Sequence, residues 1–223
     1  MRRAVGHARW LVVSLAVSLS AAVIAAADDY LTWSSDRAET VAKSTRVKDS
    51  AGQSWWDTRG RRTERSMKYD VVATWMTPEV IQASARIFQL RDGLSAEATK
   101  ALVAEADKPG QTVVMIEIDP HEGSGVIPLD WQAYLLPFTG AKGIDGAVSG
   151  VGTPALRDVK ALAGVVRRDY AYDRFWMVFP LKSGDGTPLF GPMTTHAEVV
   201  VRIHDKEARM KWPIPAVLRA ASN

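Results

Sequence analysis

The densest group of chemically capable side chains is Asp119-Pro120-His121-Glu122-Gly123-Ser124-Gly125. An imidazole flanked by carboxylates can ligate a metal or move a proton near neutral pH. His121 and Glu122 are therefore the catalytic candidates, and Asp119 with His121 opens a candidate metal set. A metal site needs three or four ligands in a defined geometry. The H-E-x-x-H spacing that would put two imidazoles on one helical face is missing, because Gly123-Ser124-Gly125 follows. His196 and His204 are the nearest further imidazoles. They flank the apolar run Val199–Ile203, at an even spacing that places both on one face of a regular strand. With Asp205 and a reaching His121 they complete a candidate set of Asp119, His121, His196 and His204. The simpler expectation is a polar turn with a surface histidine, and two strand-end histidines at the solvent boundary.

No nucleophile stands in a setting that would activate it. The chain has no cysteine, which excludes disulfides, thiolate metal sites and a thiol nucleophile. Gly123-Ser124-Gly125 and Ser149-Gly150 are not the G-x-S-x-G elbow. The glycines between Gly140 and Gly152 lack both the G-x-G-x-x-G pattern in a βαβ setting and the lysine of a phosphate-binding loop. The sequence calls for no cofactor and assigns no catalytic residue.

The eight tryptophans carry more information. Trp131, Trp176 and Trp212 fall in strand-like surroundings and are expected in the core. Trp33, Trp55 and Trp56 lie in a polar stretch with no evident core, where they form an interaction surface or fold back over the sheet. Nearby Arg59, Arg61, Arg62 and Arg65 could touch anionic lipid or polysaccharide, but Asp57 and Glu64 interrupt them, as in a solvated segment.

The elements that would position these residues begin with a polar lead segment, 28–67. It is expected to be irregular or partly disordered, apart from a short helix around Asp36–Ser44. Tyr69–Trp75 is β-branched and aromatic enough for a strand. Thr77-Pro78-Glu79 then starts a helix: a capping hydroxyl, a proline whose missing N–H costs nothing, and an acid in the first turn. Val80, Ile81, Ser84, Ala85, Ile87 and Phe88 recur at helical spacing, and Gly93 stops the run. Ser95 restarts it towards Lys108-Pro109-Gly110, so a helical hairpin is predicted over about 78–107.

The rest reads as strand: Thr112–Ile118, Trp131–Phe138, Arg174–Leu181, His196–His204 and Arg209–Pro213. The third and fourth of these look paired through Ser183-Gly184-Asp185-Gly186-Thr187-Pro188, a turn-rich connection. Ala155–Leu162 is helical or, towards Val165-Val166, extended. This order predicts an α+β fold, a helical hairpin followed by an antiparallel β-sandwich of immunoglobulin-like type. It forms one domain over 68–215, with a tail at 216–223.

Met76-Thr77-Pro78-Glu79, the second helix, Asp130-Trp131-Gln132-Ala133-Tyr134-Leu135 and Phe175-Trp176-Met177-Val178-Phe179-Pro180 follow in that order. Over about residues 69–215 this order resembles exported bacterial proteins of unknown function with an immunoglobulin-like second half. The resemblance rests on generic packing patterns. It implies a fold and a compartment, and it carries over no catalytic residue.

Residues 1–27 read as a cleavable secretory signal. Arg2, Arg3 and Arg9 precede or open the apolar stretch Trp10–Ile24, Ala25-Ala26-Ala27 offers an A-x-A site, and no acidic residue intervenes. The apolar stretch is shorter than the roughly 20 residues a spanning helix needs and contains Ser14, Ser18 and Ser20. Cleavage would leave no stable membrane span; an uncleaved leader would make the chain a membrane-anchored structural subunit. Lipid attachment at the cleavage site would need a cysteine. The leader carries three of the 28 Lys and Arg side chains and none of the 25 acidic ones, leaving 25 of each. The net positive charge thus departs with the leader, and with it the electrostatic case for a nucleic-acid partner. The expectation is an exported protein of the periplasm or extracellular space, a non-catalytic binding or accessory module of the bacterial cell envelope. Its partner would be a protein or envelope component. A hydrolase or metal-dependent enzyme built on Asp119, His121 and Glu122 is the alternative. Nothing in the residues sets the oligomeric state.

Overall fold

Tyr69–Trp75 forms β2 and Val113–Pro120 forms β3, two antiparallel neighbours whose apolar residues face both ways. This doubly covered pair organises the fold seen in the computed structural model, which describes residues 29–51, 68–109, 112–121, 126–164, 173–215 and 218. Tyr69, Val71, Ala73 and Trp75 with Val114, Ile116 and Ile118 enter one core cluster, and Met115 enters another on the opposite face. A strand buried on both faces has no polar face to show, which is why Thr112–Ile118 reads as nearly continuous apolar sequence.

Among the described residues the strands make two antiparallel sheets. The larger runs in the order β1 (Arg46–Ala51), β2, β3, β7 (Asp173–Val178), β6 (Val151–Gly152). The smaller runs β5 (Val148–Ser149), β4 (Gln132–Pro137), β8 (His196–Ile203), β9 (Lys206–Pro213). Leu135, Val199, Val201, Met210 and Trp212 of the smaller sheet share a core with the inner face of the larger one. On the outer face lie α1 (Ser35–Ala42), α2 (Pro78–Asp92) and α3 (Ala96–Asp107). Val80, Ile81, Ala85 and Ala106 of these helices pack with Met115 and Trp176. The result is three layers: helices, five-stranded sheet, four-stranded sheet.

The helical hairpin forms as its end signals require. The Thr77 hydroxyl accepts from the Val80 N–H at 3.4 Å, Pro78 occupies the first turn, and Gly93 closes α2 at φ 66°. The Ser95 hydroxyl then accepts from the Ala98 N–H at 3.1 Å to start α3. These contacts satisfy N–H groups that a helix start leaves unpaired.

Two expectations need correction. The segment 28–67 is not irregular over 29–51: a 3-10 turn, Tyr30–Thr32, leads into α1, and β1 is the edge strand beside β2. Its polarity belongs to an edge strand whose charged side chains reach partners on the same sheet: Arg46 meets Glu117 and Lys48 meets Asp70. Second, β7 and β8 are not paired but belong to different sheets. The turn residues between them close only a local loop, with the Ser183 N–H on the Thr187 carbonyl at 2.9 Å. β8 instead pairs with β9 through the two-residue turn His204-Asp205, where His204 takes φ 54°. The helix expected over Ala155–Leu162 is present as two 3-10 helices, Pro154–Asp158 and Lys160–Leu162, while Val165 and Val166 lie outside the described residues. From the expected tail, Leu218 is buried in the inter-sheet core.

Candidate functional site

The loop after β3 holds His121 in an ionic group that no local spacing reveals. Its Nε2 lies 3.0 Å from Asp70 Oδ1 on β2, and its N–H donates to the Lys68 carbonyl at 2.9 Å. Asp70 also receives Lys48 Nζ at 2.7 Å and the Ser50 hydroxyl at 2.8 Å, both from β1. Asp70 stands opposite Ser50 on one side and Asp119 on the other, so the group ties three strands together. Burial pushes the Asp70 carboxyl up, but hydrogen bonds from Lys48, His121 and Ser50 outweigh it and hold the carboxyl well below the usual range. A carboxylate so committed is a poor general base. Glu122, the other catalytic candidate, lies outside the described residues.

The remaining metal candidates do not converge. His196 and His204 sit at opposite ends of β8, roughly 25 Å apart at the rise of a strand. They belong to the smaller sheet, whereas Asp119 and His121 end a strand of the larger one. His204 is in the hairpin turn and not on the face of the strand, so the even spacing with His196 puts the two on no common surface. His196 Nδ1 lies 2.9 Å from the Thr195 hydroxyl, and Asp205 pairs with Lys206 at 3.1 Å. Among the described residues no group of three or more His, Asp or Glu side chains is placed to hold a metal ion.

Trp33 is also placed where it offers little surface. It is 7% exposed and packs with Ala38, Ala42 and Ala83, between α1 and α2. The Arg37 guanidinium lies over its ring at 5.0 Å, and Arg86 Nε donates to its carbonyl at 2.9 Å. Trp33 thus packs between two helices and not over the sheet. Trp55 and Trp56 lie outside the described residues.

The concave feature lies elsewhere, at the junction of the two sheets. β5 pairs with β4 in the smaller sheet, and after Gly150 the chain continues as β6 on β7 in the larger one. Gly150 makes this crossing possible: a Cβ there would meet the Phe179 ring at 2.7 Å. The Gly150 N–H donates to the Ala133 carbonyl at 2.9 Å, and three residues on the Thr153 N–H donates to the Trp176 carbonyl at 2.8 Å. Pro154 then turns the chain into a 3-10 helix, since it has no N–H with which to extend the ladder. β6 therefore covers only the end of β7. A cleft of about 540 Å³ opens beside the rest, lined by Trp131 and Gln132 at the start of β4, Arg174 and Phe175 of β7, and Thr153 and Arg157.

The mouth is aromatic. The Trp131 and Phe175 rings meet edge to face, with centroids 4.9 Å apart, and both residues are half-buried. Behind them Arg174 is fixed by Glu117, whose Oε1 accepts from Arg174 Nε at 3.0 Å and whose Oε2 accepts from Arg46 at 3.1 Å. Glu117 is only 2% exposed, so two guanidinium groups from β1 and β7 compensate a buried carboxylate on β3.

No family model matches this chain, and neither does any curated protein or solved structure. The cleft has the volume of a small-molecule site, an aromatic mouth, and a few polar groups at Gln132, Ser149 and Thr153. Among the described residues its charged lining residues are Arg157 and Arg174. That set can bind and orient a ligand. Sequence reasoning placed Trp131 in the core with Trp176 and Trp212; the latter two are buried and Trp131 is at the cleft. The available signal was the run Ser149-Gly150-Val151-Gly152-Thr153-Pro154, whose alternating glycines and final proline suit a strand that changes sheets and stops.

Proposed function

We propose that the protein is a non-catalytic binding module exported to the bacterial cell envelope, with the cleft between its two sheets as the ligand site. The observation that carries this reading is the cleft of about 540 Å³ with half-buried Trp131 and Phe175 in its lining and, among the described residues, no acid–base pair there. Large apolar rings kept partly open to solvent beside a concavity are where ligand contact replaces water. The leader at residues 1–27 supports export, and the mature chain's balanced charge argues for partners other than nucleic acid. Among the described residues no helix is long and apolar enough to cross a membrane. The same reading takes the β-rich part as immunoglobulin-like, supported by two antiparallel sheets that share one core, and relates it to exported bacterial proteins of that kind.

Gly152 provides the test. It lies in the cleft wall with an ordinary φ, and a Cβ there would touch only Met177 Sδ at 3.8 Å, so Gly152→Leu adds bulk to the cleft without straining the backbone. The neutral fluorescent probe N-phenyl-1-naphthylamine should bind the wild-type protein and lose that binding in G152L. Equal binding by both proteins would contradict the cleft as the site.

A further inference from the structure

The charge on the cleft wall points to the class of ligand it takes, on the reading that the cleft is a binding site. Trp131, Phe175 and Met177 give its lining an apolar part. Its two charged lining residues are both arginines, and no acidic side chain lines it among the described residues. The two arginines are not equivalent. Arg174 is spent on the buried Glu117 and reaches the Ala163 carbonyl at 3.4 Å. Arg157 stands on the 3-10 helix that follows β6, is exposed, and makes no ion pair or hydrogen bond among the described residues.

We infer that the cleft takes a small amphipathic anion, its flat apolar body against Trp131 and Phe175 and its anionic head on Arg157. A guanidinium presents planar donors that match a carboxylate or sulfonate, and its charge gains strength beside a low-dielectric wall. A cationic ligand would meet the Arg157 guanidinium with no carboxylate in the cleft lining among the described residues. A second concavity, about 440 Å³ between the Gly143–Gly146 and Ser183–Leu189 loops, has the opposite character. Among the described residues Asp145 and Asp185 line it without a cation, so it is poorly suited to an anion.

Two probes that differ only in the head group isolate the charge. 8-Anilinonaphthalene-1-sulfonate has the body of N-phenyl-1-naphthylamine plus a sulfonate. Fluorescence titration of the purified protein should give the sulfonated probe roughly tenfold higher affinity, the size expected for one charge-assisted contact. Arg157→Gln should bring that probe to the affinity of the neutral one and leave the neutral one unchanged. Equal affinities in the wild type, or no change for the sulfonated probe in R157Q, would overturn the inference while leaving the cleft as a site for neutral ligands. Binding of both probes that survives G152L would instead overturn the cleft reading beneath it. Thermal melts of R157Q and G152L separate these outcomes from loss of fold.

Discussion

The Trp131 and Phe175 rings touch edge to face across the junction of two sheets, one at the start of β4 and the other on β7. The contact does two things at once: it closes the sheets against each other and leaves ring surface at the cleft mouth. Trp131→Ala should therefore weaken N-phenyl-1-naphthylamine binding about tenfold and cost about 2 kcal/mol of stability, from lost ring contact and the space left behind. Trp131→Phe should recover most of both. Probe titration and urea denaturation of the same samples check the pairing of the two effects.

Gly150 is required by shape. An added methyl group would fall 2.7 Å from Phe179 Cε1 and 3.2 Å from Met177 Cε, and Phe179 is buried with no room to withdraw. Gly150→Ala should lower stability by about 1–3 kcal/mol, the usual cost of overpacking a core. In a Phe179→Leu background the same change should cost measurably less, which a double-mutant cycle by chemical denaturation would register.

Glu117 is the buried member of an ion triad with Arg46 and Arg174. Glu117→Gln keeps the shape but leaves two arginines facing each other, so a loss of about 3 kcal/mol is expected. Glu117→Gln combined with Arg174→Met should recover part of that loss. Equal stability of E117Q and wild type by urea denaturation would show that the triad is not compensating a buried charge.

Asp70 makes stability depend on pH in a definite direction. Its folded carboxyl is held below the ordinary range by Lys48, His121 and Ser50, against the effect of burial. A depressed folded value means the stabilisation is fully present above the unfolded value, near 4, and is lost as pH falls below it. The stability difference between wild type and Asp70→Asn should be constant from about pH 7 to pH 5 and shrink below about pH 4. Urea titrations at pH 7, 5 and 3 would show this; a difference that grew with acid would contradict it.

Much of this architecture is legible where the deciding interactions are local. Thr77-Pro78 and Gly93 announce α2 because its capping partners lie within a turn of it. Tyr69–Trp75 announces β2 because the preference of β-branched and aromatic residues for extended backbone acts within the strand. β1 is hidden because its stability comes from Asp70 and Glu117, 20 and 71 residues away along the chain. The pairing of β7 with β8 fails because turn chemistry reports a reversal without saying which sheet the next strand joins. The cleft was hidden for a related reason. Trp131, Thr153, Arg157 and Phe175 are brought together only by the crossing at Gly150, and each alone looks like an ordinary core or surface residue. His121 misled in the other direction, since its neighbours in sequence suggest a site while its partner in space is the carboxylate of Asp70.

The central claim, that the cleft between the sheets binds a ligand, is met most directly by amide and indole NMR on the titrated protein. Adding N-phenyl-1-naphthylamine should shift the Trp131 indole N–H and the backbone amides of Gly150, Gly152 and Thr153, leaving the His121 and His204 amides in place. Shifts confined to Asp145, Asp185 and their loops, or no shift at Trp131, would contradict it.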